Sequence, residues 1–247
     1  MPAFVQTRPV LDIGLFSDNP AMPKFYADEL ALPFFEGIQH SPTYEERFYE
    51  LNGAWLKINY SEEPMAAGRS GYRELVIAKE DLDQPRSLRD PDGLAIRLVP
   101  RGTDGVTHLG VGCAVADVEA ERRFLVDALG AVEDEHGLLV GDTRIVIEHD
   151  PAGQRPTPTW RRGFNYVLVS VDDGPAAHGA LVAAGAEHSL RPIRLGDRCI
   201  FSWVRGPNGL WIELVQYAGP DSPLPDIPGV EGLWEEVTRW REDATPF

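Results

Sequence analysis

The stretch Gly206-Pro-Asn-Gly-Leu-Trp-Ile-Glu-Leu-Val215 has a counterpart 116 residues earlier, Asp90-Pro-Asp-Gly-Leu-Ala-Ile-Arg-Leu-Val99. In both copies a turn containing Pro, which presets φ, and Gly, which supplies a positive φ, leads into a strand of alternating apolar residues. The polar residue that points away from the apolar face is Glu213 in one copy and Arg97 in the other. The repeat therefore predicts a duplicated, strand-rich chain whose two halves differ in charge at one equivalent position.

Composition limits the classes of function. The 247 residues suit one large domain or two of roughly 120 residues. A formal net charge of −16 argues against a nucleic-acid partner, because such proteins usually carry a basic face. Cys113 and Cys199 lie in apolar runs, which favours buried thiols over a disulfide. Without a bilayer-length apolar run or a signal sequence, we expect a cytoplasmic protein with no membrane partner.

The first half of the chain predicts strands and one helix. Residues 9–17 form an alternating strand, and Asp18 or Asn19 can cap the helix that follows. Asn52-Gly53 predicts a tight hairpin between two strands. Residues 72–78 form another strand, and the segment between it and the first copy of the turn is almost too short for a helix. The order is β-α-β-β followed by a shortened β-β unit.

The second half repeats this order more fully. Residues 107–115 predict a strand, Asp117 caps a helix that Gly130 ends, and Gly141-Asp142 turns a hairpin. A further strand, a helix and two strands lead into the second copy of the turn; they span residues 166–171, 174–185, 189–195 and 198–204. The helices match as well, since Phe-Tyr-Ala-Asp-Glu-Leu at 25–30 corresponds to Phe-Leu-Val-Asp-Ala-Leu at 124–129.

This succession of strand, Phe-x-x-Asp-x-Leu helix and Pro-Asp/Asn-Gly strand resembles the vicinal oxygen chelate superfamily, which contains glyoxalases, bleomycin-resistance proteins and extradiol ring-cleavage dioxygenases. The resemblance covers residues 9–217. It implies an α+β fold in which four βαβββ-type units pair into two half-barrel domains. We assign residues 1–102 to the first domain, with a shortened second unit, and 103–218 to the second. Residues 219–247 predict a Pro-rich linker and an amphipathic helix that begins at Val230.

Members of that superfamily hold a divalent metal inside the half-barrel, with ligands on the first and last strands of the units. Carried over to the first domain, these positions fall near Asp12, Lys57, Arg73 and Arg97. One carboxylate among three cations would repel a divalent cation. The first domain is therefore expected to form a salt-bridged network or a site that binds an anionic substrate; the remaining alternative is a metal site whose ligands this alignment misplaces.

In the second domain the resemblance places a carboxylate ligand at Glu213. His108 could join it if the strand shifts in register, and the metal would be Fe, Mn, Zn or Ni. Tyr166 and His149 are candidates for moving protons to or from a substrate. The alternatives are that Glu213 is an ordinary strand carboxylate, that both histidines are surface groups and that Tyr166 serves packing. Phe201 and Trp203 either wall a site for a flat substrate or fill the core.

Two classes of function follow from the resemblance. The first is a glyoxalase-like or dioxygenase-like enzyme that acts on a small oxygenated, possibly aromatic substrate through a divalent metal. The second is a metal-free protein that binds a small molecule, of the bleomycin-resistance type. The sequence leaves open how the four units pair and whether they exchange between the subunits of a homodimer.

Overall fold

The computed structural model describes residues 4–68, 70–152, 160–219 and 223–230. Within them the chain forms four successive units. Unit 1 contains β1 (Asp12–Ser17), helix α1 (Met22–Lys24, continued by a π-helical turn over Phe25–Glu29), β2 (Phe34–Ser41), β3 (Tyr44–Leu51) and β4 (Ala54–Ser61). Unit 2 has no α-helix and contains β5 (Tyr72–Lys79), β6 (Arg86–Arg89) and β7 (Ala95–Pro100).

Units 3 and 4 follow the same plan with full-length helices. Unit 3 contains β8 (Leu109–Val115), α2 (Val118–Leu129), β9 (Val132–Asp134), β10 (Gly137–Val140) and β11 (Thr143–His149). Unit 4 contains β12 (Gly163–Ser170), α3 (Gly174–Ala183), β13 (Glu187–Leu195), β14 (Cys199–Arg205) and β15 (Trp211–Tyr217). The predicted C-terminal helix lies outside the described residues, apart from Val230. No helix in the described part of the chain is long and apolar enough to cross a bilayer.

The strands form two curled sheets, and each sheet takes one unit from each half of the chain. An eight-stranded sheet has the order β13-β14-β15-β12-β1-β4-β3-β2 and joins units 1 and 4, which we call the outer-unit half-barrel. A seven-stranded sheet has the order β6-β7-β5-β8-β11-β10-β9 and joins units 2 and 3, which we call the inner-unit half-barrel. The predicted α+β fold with two half-barrels is confirmed. Each sheet contains strands from both sides of the boundary predicted between residues 102 and 103. That boundary separates the two sequence repeats, and each half-barrel takes one unit from each repeat.

Local signals explain most of the elements. Asp117 accepts a hydrogen bond from the Ala120 N–H at 2.9 Å and caps α2, and Gly130, with φ of 69°, ends it. Asn52 and Gly53, both with positive φ, turn the hairpin between β3 and β4. The sequence does not predict strand β2, because its residues Phe34–Ser41 show no regular alternation of apolar and polar side chains. All of its residues are exposed or half-buried.

A single core lies between the two half-barrels. It contains Ile13 and Leu56 from the outer-unit sheet together with Leu75 and Val111 from the inner-unit sheet. Because side chains alternate along a strand, the intervening residues face away from this core. On that opposite face the outer-unit sheet carries a second apolar cluster, which includes Phe16, Tyr166, Trp203 and Trp211. Both cysteines are buried free thiols, as predicted.

The two Pro-Asn/Asp-Gly turns connect the half-barrels. Tyr26, on the helix of unit 1, donates a hydrogen bond from its hydroxyl to Asp90 in the turn of unit 2 at 3.0 Å. Asn208, in the turn of unit 4, donates from its amide to Glu121 on the helix of unit 3 at 2.9 Å. In each case the helix and the turn belong to different sheets. The repeated stretch therefore holds each helix against the neighbouring half-barrel.

Candidate functional site

The outer-unit half-barrel encloses a cavity of about 800 Å³ on the face opposite the core. Its lining comes from unit 1 and unit 4, and Trp160 and Val230 contribute at the border. The volume is in the range of pockets that bind small organic molecules. Glu213, Lys57, Phe201 and Trp203, which the sequence singled out, all line it.

A glycine at the centre of the sheet makes room for the polar floor of the cavity. Gly14 on β1 lies in register with Tyr166 on β12 and with Lys57 on β4. A Cβ at Gly14 would lie 2.0 Å from the Tyr166 ring, so the ring occupies the space that a side chain there would fill. As a result the Lys57 Nζ lies 5.7 Å from the centre of the Tyr166 ring.

The ammonium of Lys57 lies between two carboxylates. Its Nζ is 3.1 Å from Glu46 Oε1 and 3.3 Å from both carboxylate oxygens of Glu213. Strands β1 and β12 separate Lys57 from Glu213, a span of roughly 14 Å in a flat sheet. The curl of the half-barrel brings the two side chains into contact. Both are buried, with side-chain exposures of 9% for Lys57 and 4% for Glu213.

The charge state of this cluster follows from burial and from the ion pairs. Burial alone would lower the pKa of Lys57, but Glu213 and Glu46 outweigh it and hold the pKa well above its usual value. Burial would raise the pKa of Glu46, yet Lys57 and His40 lower it to about 2. For Glu213 burial prevails over Lys57, and its pKa is raised. Lys57 and Glu46 are thus ionised at neutral pH, while Glu213 is the carboxyl closest to taking up a proton.

Two tyrosines and an asparagine extend the polar floor. The Asn59 amide donates to the Tyr166 hydroxyl oxygen and to the Leu15 carbonyl, each at 2.9 Å. The Tyr44 hydroxyl donates to Asn59 Oδ1 at 2.9 Å. Burial raises the pKa of Tyr166 well above its usual value, so its hydroxyl stays protonated. The floor is therefore a connected set of neutral donors and acceptors beside the Lys57 ion pairs.

Aromatic rings form the walls of the cavity. Trp160 packs edge-on against Phe16, with ring centres 5.0 Å apart, and against Tyr44 at 4.9 Å. Trp203 packs edge-on against Tyr166 at 4.4 Å. These rings give the cavity a largely aromatic wall, a lining typical of sites that bind small organic molecules.

Ion pairs lie around the opening. Arg198 of unit 4 binds both carboxylate oxygens of Glu36 of unit 1, at 2.8 and 3.0 Å. Arg8 does the same with Asp12, at 2.8 and 3.1 Å. Burial raises the pKa of Asp12 to about 7, although Arg8 and the Trp55 N–H oppose the shift. Asp12 is thus a buried, paired carboxyl near the floor, consistent with a structural role.

The remaining predicted site residues lie in the inner-unit half-barrel. Arg73 pairs with Asp150 at 3.6 Å, and Arg97 pairs with Asp104 at 3.0 Å. The His108 carbonyl accepts a hydrogen bond from the Asn52 amide at 3.0 Å.

Consequently two predicted groupings do not form. The cluster of Asp12, Lys57, Arg73 and Arg97 is divided between the two sheets, and so is the pair of His108 and Glu213. His149, at the exposed end of β11, is also in the sheet that lacks Glu213. Both groupings assume that units adjacent in the chain share a half-barrel, whereas unit 1 pairs with unit 4 and unit 2 with unit 3.

The residues at this floor do not fit a divalent metal. In the described part of the chain no three His, Cys, Asp or Glu side chains are grouped so that they could hold one ion. In the cavity the space between Glu46 and Glu213 is taken by the Lys57 ammonium, which would repel a divalent cation. We therefore derive no chemical step through a metal at this floor.

At the floor the sequence predicted Lys57 and Glu213 but missed Tyr44, Glu46 and Asn59. Tyr44 and Glu46 alternate along β3, and Lys57 and Asn59 alternate along β4, so each pair shares a face of the sheet. This period of two was visible in the sequence. Their relation to Glu213 was not, because it depends on which strands become neighbours.

Comparisons with known proteins agree with this architecture. Residues 105–214 match the family model described as Glyoxalase/Bleomycin resistance protein/Dioxygenase superfamily. A crystal structure of glyoxalase I from Zea mays matches with a TM-score of 0.64 at 17% identity, covering 84% of this chain and 92% of that one. A putative dioxygenase from Bacillus subtilis matches with a TM-score of 0.62 at 13% identity, covering 98% of both chains. No curated protein matches the chain significantly.

The fold is thus that of the two-half-barrel glyoxalase and dioxygenase proteins. The predicted resemblance to the vicinal oxygen chelate superfamily is confirmed by the family match over units 3 and 4 and by the fold of the whole described chain.

Proposed function

We propose that this protein binds a small, flat organic molecule in the outer-unit cavity and does so without a divalent metal. The observation that carries the proposal is the Lys57 ammonium held between Glu46 and Glu213 at the floor of an aromatic-walled cavity. A metal-dependent member would need those carboxylates free for coordination. Here they are engaged by a cation that is part of the chain. The alternative predicted from the sequence, a metal-free binding protein, is therefore favoured over a metal-dependent glyoxalase or dioxygenase.

Two measurements test the proposal. Protein purified without chelators and then exposed to Fe(II), Mn(II), Zn(II) or Ni(II) is expected to retain well under one equivalent of metal. A panel of one-ring and two-ring aromatic compounds, followed by the emission of Trp160 and Trp203, is expected to contain ligands that quench it. Stoichiometric metal retained by the wild-type protein and lost in a Glu213→Gln variant would contradict the proposal.

A matched pair of variants tests whether the ligand binds inside the outer-unit cavity. Leu168→Trp places a large ring inside the cavity and is expected to abolish ligand binding. Val146→Trp adds the same side chain at an exposed position of the inner-unit half-barrel and is expected to leave binding unchanged. Equal loss of binding in both variants, or in neither, would show that the ligand occupies another place.

One observation favours a second function, metal-independent proton transfer on the bound molecule. Glu213 lines the cavity and burial raises its pKa, so among the carboxyls of the floor it is the candidate for exchanging a proton with a ligand. Tyr166, whose hydroxyl stays protonated, is hydrogen-bonded to Glu213 and would hold that carboxyl in position. Under this reading a Glu213→Gln variant would retain ligand binding while losing all turnover. Loss of binding and turnover in equal measure would count against it.

A further inference from the structure

We infer that the C-terminal segment of this chain, residues 231–247, covers the opening of the outer-unit cavity as a lid. These residues lie outside the described part of the chain. The inference deepens the proposed function, because it names what separates the same cavity from water. Three observations carry it: the course of the chain up to Val230, the apolar residues at the opening, and the sequence of the segment.

The last described residues bring the chain to the border of the cavity. They lie beside β13, the edge strand of the outer-unit sheet, where the Arg194 N–H donates to the Pro228 carbonyl at 3.1 Å. Gly229 forms a parallel bridge with Arg194, so the chain there runs in the same direction as β13, towards Leu195. Val230 lines the cavity and packs against its apolar cluster. The segment that follows therefore begins at the cavity border.

The opening on this side carries apolar side chains. Leu195 and Tyr217 lie in one row across β13, β14 and β15, and both line the cavity. The ion pair between Arg198 and Glu36 brings β2 to the same opening, where Phe35 also lines the cavity. Phe35 is 53% exposed and Tyr217 41%. Large apolar side chains grouped at the border of a cavity are typical of a surface that another element covers.

The sequence of the segment suits that surface. Seventeen residues follow Val230, and a helix of that length spans about 25 Å. The apolar residues recur at the spacing of one helix face: Val230, Leu233, Trp234, Val237 and Trp240. Most of the charged residues fall between these positions, on the opposite face. A helix placed over the opening would bury the apolar face against the rim and leave the charged face in water.

The tether at Val230 favours this chain's own segment over a second copy as the occupant. A segment that starts at the border of the cavity is present there at a high effective concentration. A segment from another copy would have to be bound from solution. The lid is therefore expected to close within one chain at any protein concentration.

The first experiment locates the segment without a ligand. In the full-length protein Trp234 is replaced by p-benzoylphenylalanine, a photoreactive aromatic residue, and the cross-linked peptides are identified by mass spectrometry. We expect cross-links within one chain to peptides that contain Phe35 or Tyr217. The same replacement at Glu235, on the charged face, is the matched control and should give few of them. Cross-links from Trp234 to the inner-unit half-barrel or to a second copy, or no more than from Glu235, would overturn the inference.

The two cysteines allow a second experiment, on access to the cavity. Cys199 lines the cavity, whereas Cys113 lies on β8 of the inner-unit half-barrel. Both are buried free thiols. Burial raises the pKa of each, so their reaction with N-ethylmaleimide is followed at alkaline pH. The rate at Cys199 then reports on the cavity, and the rate at Cys113 reports on the rest of the fold.

A Trp234→Ser variant removes a large apolar side chain from the lid. We expect the rate at Cys199 to rise about tenfold, because the lid opens more often, and the rate at Cys113 to stay unchanged. Glu235→Ser is the control and should alter neither rate. A rise at both thiols, as in a protein that is destabilised throughout, or at neither, would overturn the inference. Neither experiment uses a ligand or a metal, so a failure here leaves the proposed function to be decided by its own binding and metal measurements.

Discussion

The two half-barrels are built on one plan, yet the charged residue of the repeated strand is buried in one and partly exposed in the other. The outer-unit half-barrel buries Lys57 and Glu213 beside a cavity, whereas in the inner-unit half-barrel Arg97 and its partner Glu74 are 29% and 35% exposed. Buried charges interact strongly because little water screens them, while exposed pairs contribute little. The same strand position in the repeated stretch, Glu213 or Arg97, is thus buried beside a cavity in one sheet and partly exposed in the other.

The faces of the two sheets that point away from the core differ in the same way. The outer-unit sheet carries bulky aromatic residues that leave an opening between them. The inner-unit sheet carries a small cluster of Val76, Ala78, Val99 and Val106. Small aliphatic side chains pack closely against a curled sheet. The outer-unit sheet therefore lines a cavity on this face, whereas the described residues of the inner-unit sheet form a small aliphatic cluster there.

The largest expected difference between the half-barrels comes from removing a cation. Lys57→Met leaves two carboxylates facing each other in a buried site, and we expect it to lower the free energy of unfolding by about 3–5 kcal/mol. Arg97→Met breaks a partly exposed pair, and we expect a loss below about 1 kcal/mol. Urea denaturation of both variants measures the two values.

A further variant separates charge from packing. Adding Glu46→Gln and Glu213→Gln to Lys57→Met removes the unpaired charges and should restore most of the lost stability. If the Lys57→Met and Arg97→Met variants lose the same free energy of unfolding, the outer-unit floor is as hydrated as the inner-unit surface. The contrast between the two half-barrels would then not hold.

The second-largest expected difference in stability concerns Gly14 on β1 and Gly110 on β8, which are the first strands of units 1 and 3. A Cβ at Gly14 would lie 2.0 Å from the buried Tyr166 ring, whereas a Cβ at Gly110 would lie 3.1 Å from Val76 Cβ. We expect Gly14→Ala to cost about 3 kcal/mol, at the upper end for overpacking, and Gly110→Ala about 1 kcal/mol. Thermal unfolding measures both.

Relief of the clash is the control for this comparison. Combining Gly14→Ala with Tyr166→Ala removes the ring that the new methyl group would meet, so the double variant should be more stable than the sum of the two single losses predicts. Strict additivity would show that Gly14 serves some purpose other than making room for Tyr166.

The sequence predicted the fold better than the site because the two depend on different contacts. Local signals, such as the Asp117 cap, the Asn52-Gly53 hairpin and the repeated turns, identify the units and their order. The family resemblance pointed to Glu213 inside a half-barrel, and the structure finds Glu213 and Trp203 among the residues that line the cavity. Pairing of unit 1 with unit 4 is a contact between distant strands, and no local signal encodes it. For this reason Lys57 was grouped with Arg97 when its partner is Glu213.

The smallest expected difference in stability concerns the two copies of the repeated turn. Each turn hydrogen-bonds a helix residue of the neighbouring half-barrel, one through Asp90 and the other through Asn208. The Asp90 carboxylate only accepts hydrogen bonds, from the Tyr26 hydroxyl and from the N–H groups of Asp92 and Leu94. Asn208 accepts from the Asp117 N–H and also donates to the Asp117 carbonyl and to Glu121. Exchanging the two residue types should therefore have unequal consequences.

Asn208→Asp replaces the amide donor by a carboxylate beside Glu121, whose pKa burial already raises. We expect a loss of about 2 kcal/mol at neutral pH, from two unmade hydrogen bonds and like-charge repulsion. Asp90→Asn keeps an oxygen for the backbone N–H groups and should cost less than about 1 kcal/mol. The cost of Asn208→Asp should shrink as the pH is lowered, because protonation of either carboxyl removes the repulsion and restores a donor. Urea denaturation of both variants at neutral and acidic pH measures these losses. If the free energy of unfolding that Asn208→Asp loses does not change with pH, Glu121 is already neutral in the wild-type protein.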